Sequence, residues 1–507
     1  MKLRLVLLLL LATGSAFAEP MGGGGGLPQF LMADVFGSAL AFMAPRTLDP
    51  IPVGDLTMWG LHGITAIDPN LSTSITPAGK ADQIDLTGPG GTIISLPAPA
   101  PDDAAAWGEA AAKLAEAAAG VSAPVRAAGA AGVIQSFFEE LFNHLDPYSR
   151  YVSPSNATTD RANRRGLGGV GFVTVEIRHQ LAVGDIAPGS PADQVGVQIG
   201  DLVQTVDGHS TQGKSAAEVN RWLAGDVGSF AEITLRHPGT APDTIELDRV
   251  LVPPSTVGLN RDGNLAVITI SGFSADTAAR FKNALDQIAT YPHVEGLILD
   301  LRDNRGGLLH QAVDIASMLL SSGTIVSTQG RAPASNHDFI AALNDLTHGM
   351  STIVLVDGRT ASAAEILAAS LADNRRAVVV GSATLGKGLV QTILQLPDGG
   401  ELFLTWSRVI APRGWPIQGL GVMPQVCTSN GNNALDQQLA ALADGHQPMA
   451  AALARTRAAR APLPSVQLLE LRAPCPAAEA SDNDIPAAHW LIDHPIAYQT
   501  ALLPANH

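Results

Sequence analysis

Between residues 353 and 391 apolar runs alternate with polar turns. Ile353 to Val356 is a β-branched run that ends at Asp357 and the turn Gly358-Arg359-Thr360, which predicts a short buried strand. The Ala-rich run Ala363 to Leu371 predicts a helix. Arg376 to Val380 predicts a second strand, followed by Gly381 and the loop Thr384-Leu385-Gly386-Lys387-Gly388. The same alternation runs upstream. Leu265 to Ile270 and Gly296 to Leu301 predict buried strands, separated by an amphipathic helix over Ala275 to Thr290 with Ala278, Phe281, Leu285 and Ile288 on its apolar face. A further helix is predicted over Leu308 to Leu320. Strand, helix, strand predicts a parallel α/β unit. Downstream, Pro397-Asp398-Gly399-Gly400 marks a hairpin turn before a return strand over Leu402 to Ile410.

Toward the N-terminus the pattern is helical. Helix-like spacing occurs over 29–71, and an Ala-rich helix is predicted over 101–122. Val133 to Leu145 repeats apolar Ile134, Phe137, Phe138, Leu141 and Phe142 at helical spacing. Residues 72–100 are rich in Thr, Gly and Pro, and read as a hairpin or a loose insert. Residues 166–252 switch to short alternating strands broken by Pro-Gly, Gly-Asp and Asp-Gly turns, with a helix over Ser215 to Leu223 and a strand over Ala231 to Arg236. Residues 428–507 are Ala- and Pro-rich, with one helix expected over Asp436 to Ala443, and their late histidines read as surface residues.

Residues 1–18 have the form of an export signal: Lys2 and Arg4, the apolar run Leu5 to Leu11, and the small-x-small site Ala16-Phe17-Ala18. Beyond Ala18 no charge-free apolar run reaches the length of a membrane span, so a soluble mature chain in the periplasm or another extracytoplasmic space is expected. Residues 19–28 form a leader with five consecutive glycines, Gly22 to Gly26. The chain has 507 residues and room for about three domains. Its net charge of -16 argues against non-specific nucleic-acid binding. The two cysteines, Cys427 and Cys475, have the option of pairing in an exported chain, and the sequence leaves this open.

The candidate chemistry lies at a strand-to-helix corner. Ser362 stands where free backbone N–H groups at a helix start are able to stabilise an oxyanion. A serine nucleophile needs a base, and a desolvated lysine is one. Lys387, between two glycines, is the candidate. Residue types alone leave open a helix N-cap at Ser362 and a solvated lysine at 387.

The whole segment DGRTASAAEILAASLADNRRAVVVGSATLGKGLVQ resembles the catalytic segment of the C-terminal processing peptidases, or tail-specific proteases, with their [ST]AS[AS]-x-E…GxxTxGKGxxQ arrangement. The resemblance implies Ser362 as nucleophile, Lys387 as general base and Gln391 as the residue that orients the lysine, with structural roles for Glu365 and Asp373. LDLRDNRGGLL is similar to the family's DLRxNxGGxL element. It implies an oxyanion hole made by Gly306 or Gly307 together with the N–H of Ala363; the choice of glycine stays open, and Arg305 stands where the family often has proline. LDPYSRYVSP is similar to the segment before the family's recognition domain. It reads as a proline turn, with no catalytic role expected. The segment after the lysine resembles the family too, with Trp415 as a candidate cover for the site.

GLGGVGFVTVEI with SPAxxxGxxxGDxxxxVDG resembles a PDZ domain of the bacterial protease type. The resemblance implies a carboxylate-binding loop at Gly169, Val170, Gly171 and Phe172, with Val219 or Trp222 across the groove, and peptide capture as an added strand. The fold implied is a multi-domain α+β chain. It comprises a helical N-terminal region over 29–160 with an insert near 72–100, a PDZ-like β-barrel domain over 164–252, an α/β (crotonase/ClpP-like) peptidase domain over 253–427, and a C-terminal extension over 428–507. The function implied is an exported serine endopeptidase that takes protein or peptide substrates by their C-terminal ends, with no metal and no cofactor. The oligomeric state and an adaptor partner stay open. The alternatives are an inactive PDZ scaffold and a non-peptide hydrolase.

Overall fold

A computed structural model describes residues 27–77, 82–342 and 344–504. The expected export signal and most of the glycine leader lie outside the described residues.

The central sheet runs in the order Val257–Asp262, Leu265–Ile270, Gly296–Asp300, Ser351–Val356, Val378–Gly381, Val426–Cys427. The first pair is antiparallel and the rest are parallel. Strands covered on both faces need apolar side chains on both, which is why these segments read as unbroken hydrophobic runs. On one face Ile268, Leu299, Val354 and Val379 pack against helices Thr277–Ile288, Leu309–Leu319 and Ala363–Asp373. On the other, Ile298, Ile353, Leu355 and Val380 meet Leu435, Leu491 and Tyr498 from Asn432–Ala443, Asp484–Asp493 and Pro495–Ala501. The C-terminal extension therefore covers one face of the central sheet. The single expected helix there is corrected to five, with Ala450–Ala458 and Ser465–Arg472 completing the set.

A second, antiparallel sheet stands beside the first, in the order His337–Ile340, Thr324–Gln329, Glu401–Ile410, Leu389–Gln395. Its Glu401–Ile410 strand also pairs with Arg150–Val152, so the segment that closes the helical region is stitched into this second sheet.

The N-terminal helices Gln29–Met43 and Ala104–Val121 pack as one pair, and Val53–Ile67 and Ala123–Phe142 as another. Glycine permits this closeness: a Cβ on Gly108 would sit 2.4 Å from Gly37 N. The hairpin reading of residues 72–100 is met by Gln83–Gly88 and Gly91–Pro97, and a third antiparallel strand, Ser72–Thr76, extends it to a sheet. Ile84 and Leu86 anchor it on the helical core.

A further sheet, in the segment that resembles a PDZ domain, has the order Asp243–Asp248, Phe230–Arg236, Leu202–Val206, Gln180–Ile186, Phe172–Ile177, with helix Ala216–Leu223 against its edge strand.

Candidate active site

The strand Ser351–Val356 delivers the chain to a turn organised by Asp357. Its Oδ1 accepts from the N–H groups of Arg359 (3.0 Å), Thr360 (2.9 Å) and Asp303 (3.1 Å), which ties the serine turn to the glycine turn beside it. Ala361 N donates to Asn304 O at 2.9 Å, a second tie. Ser362 follows with φ +57°, a conformation that L-residues rarely adopt, and helix Ala363–Asp373 starts directly after it. Such strain persists only where the surroundings over-determine it, and here Ser362 is the N-cap of the helix, in a capping box with Glu365.

The glycine turn lies against this corner. A Cβ on Gly306 would fall 2.7 Å from Ser362 Cβ and 3.0 Å from Ala363 N, so a side chain there would collide with the serine. Gly306 N donates to the side chain of buried Asn304 at 2.8 Å. The N–H groups of Gly307 and Ala363 have no hydrogen-bond partner among the described residues. Of the two glycines left open by the sequence, only Gly307 therefore keeps a free donor.

Glu365, one turn into the helix, is fully buried and joins the two halves of the site. It accepts from Ser362 N (2.8 Å), Gly386 N (2.7 Å), Lys387 N (2.8 Å) and the Thr384 hydroxyl. Burial holds its carboxyl above the ordinary value, against the pull of these donors. One carboxylate thus pins the backbones of both candidate catalytic residues. Asp373, at the far end of the helix, accepts from Trp415 Nε1 at 2.7 Å and pairs with Arg457. Trp415 is buried in the core under that contact and does not cover the site, because its indole N–H finds its partner there.

Lys387 enters from a loop that residues 417–421 press from behind. A Cβ on Gly388 would lie 2.2 Å from Gln418 N, so glycine is required there. Nζ makes no hydrogen bond and no ion pair among the described residues, and lies 5.0 Å from the centre of the Tyr148 ring. Burial lowers the lysine below its ordinary range, and the nearby Arg150 cation pushes the same way. Ser362 and Lys387 line one cleft of about 700 Å³, together with Gly306, Gly307 and Gln391, but no hydrogen bond joins the hydroxyl to the amine.

Gln391 does not touch the lysine by hydrogen bond. Its Nε2 donates to Thr405 Oγ1 (3.0 Å) and Leu389 O (3.2 Å), so the expected direct orienting contact is absent here. The turn at 146–151, which the sequence reads as a proline turn with no catalytic role, brings the centre of the Tyr148 ring to 5.0 Å from Lys387 Nζ.

The PDZ loop residues Gly169, Val170, Gly171 and Phe172 all line a groove of about 260 Å³. Across it stand Asn220 and Leu223 rather than Val219 or Trp222. Val219 is turned into the small core, and Trp222 lies against His209 and Lys214. Asn220 accepts from Thr174 N (2.7 Å) and donates to Thr174 O (3.2 Å), bridging the edge of strand Phe172–Ile177. Arg280 of helix Thr277–Ile288 also lines the groove and binds Asp185 of the PDZ sheet at 2.8 Å.

The extension buttresses the site from outside. Arg472 donates to Thr384 O (2.8 Å) and Leu420 O (2.6 Å), and Ser382 Oγ donates to Ala478 O at 2.8 Å. Cys427 and Cys475 form a disulfide that anchors this segment, the option the sequence left open.

The model of Peptidase family S41 matches residues 264–428, and a PDZ domain model matches residues 183–236. The carboxy-terminal-processing protease of Bartonella bacilliformis is 33% identical over 300 residues, covering 58% of this chain and 69% of that protein. The chloroplastic C-terminal processing peptidase of Tetradesmus obliquus is 33% identical over 307 residues, covering 55% and 64%. Among solved structures, the photosystem II D1 C-terminal processing protease aligns with 57% of this chain and 81% of its own, at 30% identity and a TM-score of 0.35. With two thirds of a relative covered at this identity, the chain belongs to the carboxy-terminal-processing proteases of peptidase family S41, serine-type peptidases, and carries a PDZ domain.

Proposed function

We propose that the chain is an exported endopeptidase in which Ser362 is the nucleophile and Lys387 the general base. Its PDZ domain, over about residues 164–252, holds the C-terminal end of a protein substrate for the peptidase domain over about 253–427. The observation that carries this reading is the meeting, in one cleft, of a strained serine, a lysine without a counter-ion and the N–H of Gly307, which with the N–H of Ala363 next to the serine has no partner among the described residues.

In the reaction, a rotation of the lysine side chain brings neutral Nζ to the Ser362 hydroxyl. Lys387 takes the hydroxyl proton as the serine oxygen attacks the scissile carbonyl. The N–H groups of Gly307 and Ala363 donate to the tetrahedral oxyanion. Lys387 then returns the proton to the leaving amine, and an acyl-enzyme remains on Ser362. A water that gives its proton to Lys387 attacks the ester; the bond from the carbonyl carbon to the Ser362 oxygen breaks, Lys387 passes the proton to that oxygen, and the acid is freed. The PDZ loop Gly169–Phe172 takes the substrate's terminal carboxylate, while export rests on residues 1–18.

The test is digestion of a loosely folded protein with an apolar C-terminus, read by fragment masses. Wild type is expected to cut, and Ser362→Ala to bind the same protein without cutting. An acyl-directed serine probe that labels another residue, or cutting by Ser362→Ala, would falsify the assignment of the nucleophile.

A further inference from the structure

The turn at 146–151 is held far more firmly than a linker needs. Asp146 Oδ1 accepts from Tyr148 N (3.0 Å), Ser149 N (3.1 Å) and Thr405 Oγ1 (2.7 Å), and Oδ2 accepts from Ser149 Oγ (2.5 Å). Thr405 N donates back to Ser149 Oγ at 3.0 Å. Gln391 adds its amide to Thr405 Oγ1, so the chain of hydrogen bonds runs from Gln391 through Thr405 and Asp146 to the backbone of Tyr148. At the end of this chain the Tyr148 ring faces Lys387 Nζ. An aromatic face attracts an ammonium and also excludes water from it.

We propose that Tyr148 is a positioning residue for the peptidase reaction. Its ring covers Lys387 Nζ, keeps water from it and holds it in the cleft that Ser362 also lines, and Gln391 acts on the lysine through Thr405 and Asp146. The inference rests on the reading of Lys387 as the base.

The groups that face the lysine are Tyr148, the Arg150 cation, and the carboxylates of Glu365 and Asp146. Burial and Arg150 favour the neutral amine, while the two carboxylates and the aromatic face favour the ammonium. The Tyr148 phenol is itself pushed up by burial, so it stays neutral while the lysine titrates.

The experiment is the pH profile of kcat/KM for the full chain on an unstructured protein substrate. Activity rises with pH as Lys387 loses its proton, which gives an acid limb. Tyr148→Ala opens Nζ to water, so the limb moves to higher pH and activity at pH 7 falls at least about tenfold. Tyr148→Leu keeps the bulk and removes the aromatic face, so the ammonium loses support and the limb moves to lower pH. Tyr148→Phe keeps the face and holds the limb at its wild-type position. Lys387→Ala is the control for the underlying reading. If it is inactive and the limb stays in place in both the Ala and Leu variants, Tyr148 is only structural and the inference fails. If Lys387→Ala retains activity, the dyad reading fails instead.

Discussion

The catalytic cleft and the PDZ groove treat backbone donors in opposite ways. In the cleft, the N–H groups of Gly307 and Ala363 are left without partners, while the surrounding backbone is clamped by Asp357, Glu365 and Asp146. In the groove, Thr174 on the edge strand already gives its N–H and its carbonyl to Asn220. A site that stabilises a transient charge gains from donors fixed and waiting, because nothing has to reorganise during the reaction. A surface that captures a peptide by adding a strand must release any internal partner first.

Removing the clamp is the largest expected perturbation. Glu365→Ala leaves four donors in a sealed pocket without their acceptor, a cost of at least about 3 kcal/mol. The freed Ser362 and Lys387 backbones lower activity by about a hundredfold or more. Urea unfolding and peptide turnover measure the two effects, and a Glu365→Ala protein with wild-type turnover would refute the clamp. Next comes Cys475→Ser. The disulfide closes a span of 48 residues, and its loss is expected to destabilise the chain by about 3 kcal/mol in urea. A smaller fall in turnover follows through the Arg472 and Ala478 contacts. Equal unfolding midpoints for wild type and variant would show that the extension is held by packing alone. The smallest effect belongs to the groove. Asn220→Ala frees the edge of Thr174, so a peptide with a free C-terminus binds Ser362→Ala/Asn220→Ala tighter than Ser362→Ala by about 1 kcal/mol, roughly fivefold. Weaker binding would mean that Asn220 shapes the groove rather than occupying it.

The parallel strands were legible because a strand covered on both faces must be apolar throughout, and Leu265–Ile270 and Ser351–Val356 carry that pattern. The serine and lysine loops were legible because they lie 25 residues apart in one motif-bearing segment. The helix at Asp436 to Ala443 was legible, but the other four C-terminal helices were missed, since one apolar stripe among many alanines is faint until the sheet that receives it is known. Tyr148 was missed because a side chain that reaches a site from a distant part of the chain leaves no local periodicity. The partner of Gln391 was not legible either: the family resemblance links it to Lys387, whereas Thr405, which takes its hydrogen bond, lies on the neighbouring strand.

The pairing of Arg150–Val152 with residues 401–403 makes the 146–151 turn depend on a strand far along the chain. A chain cut at residue 400 keeps Ser362, Lys387 and both glycines. It lacks the strand on which the 146–151 turn is seated, and it lacks Thr405, whose hydroxyl and N–H hold that turn. On the proposed role of Tyr148, such a fragment leaves the lysine amine open to water.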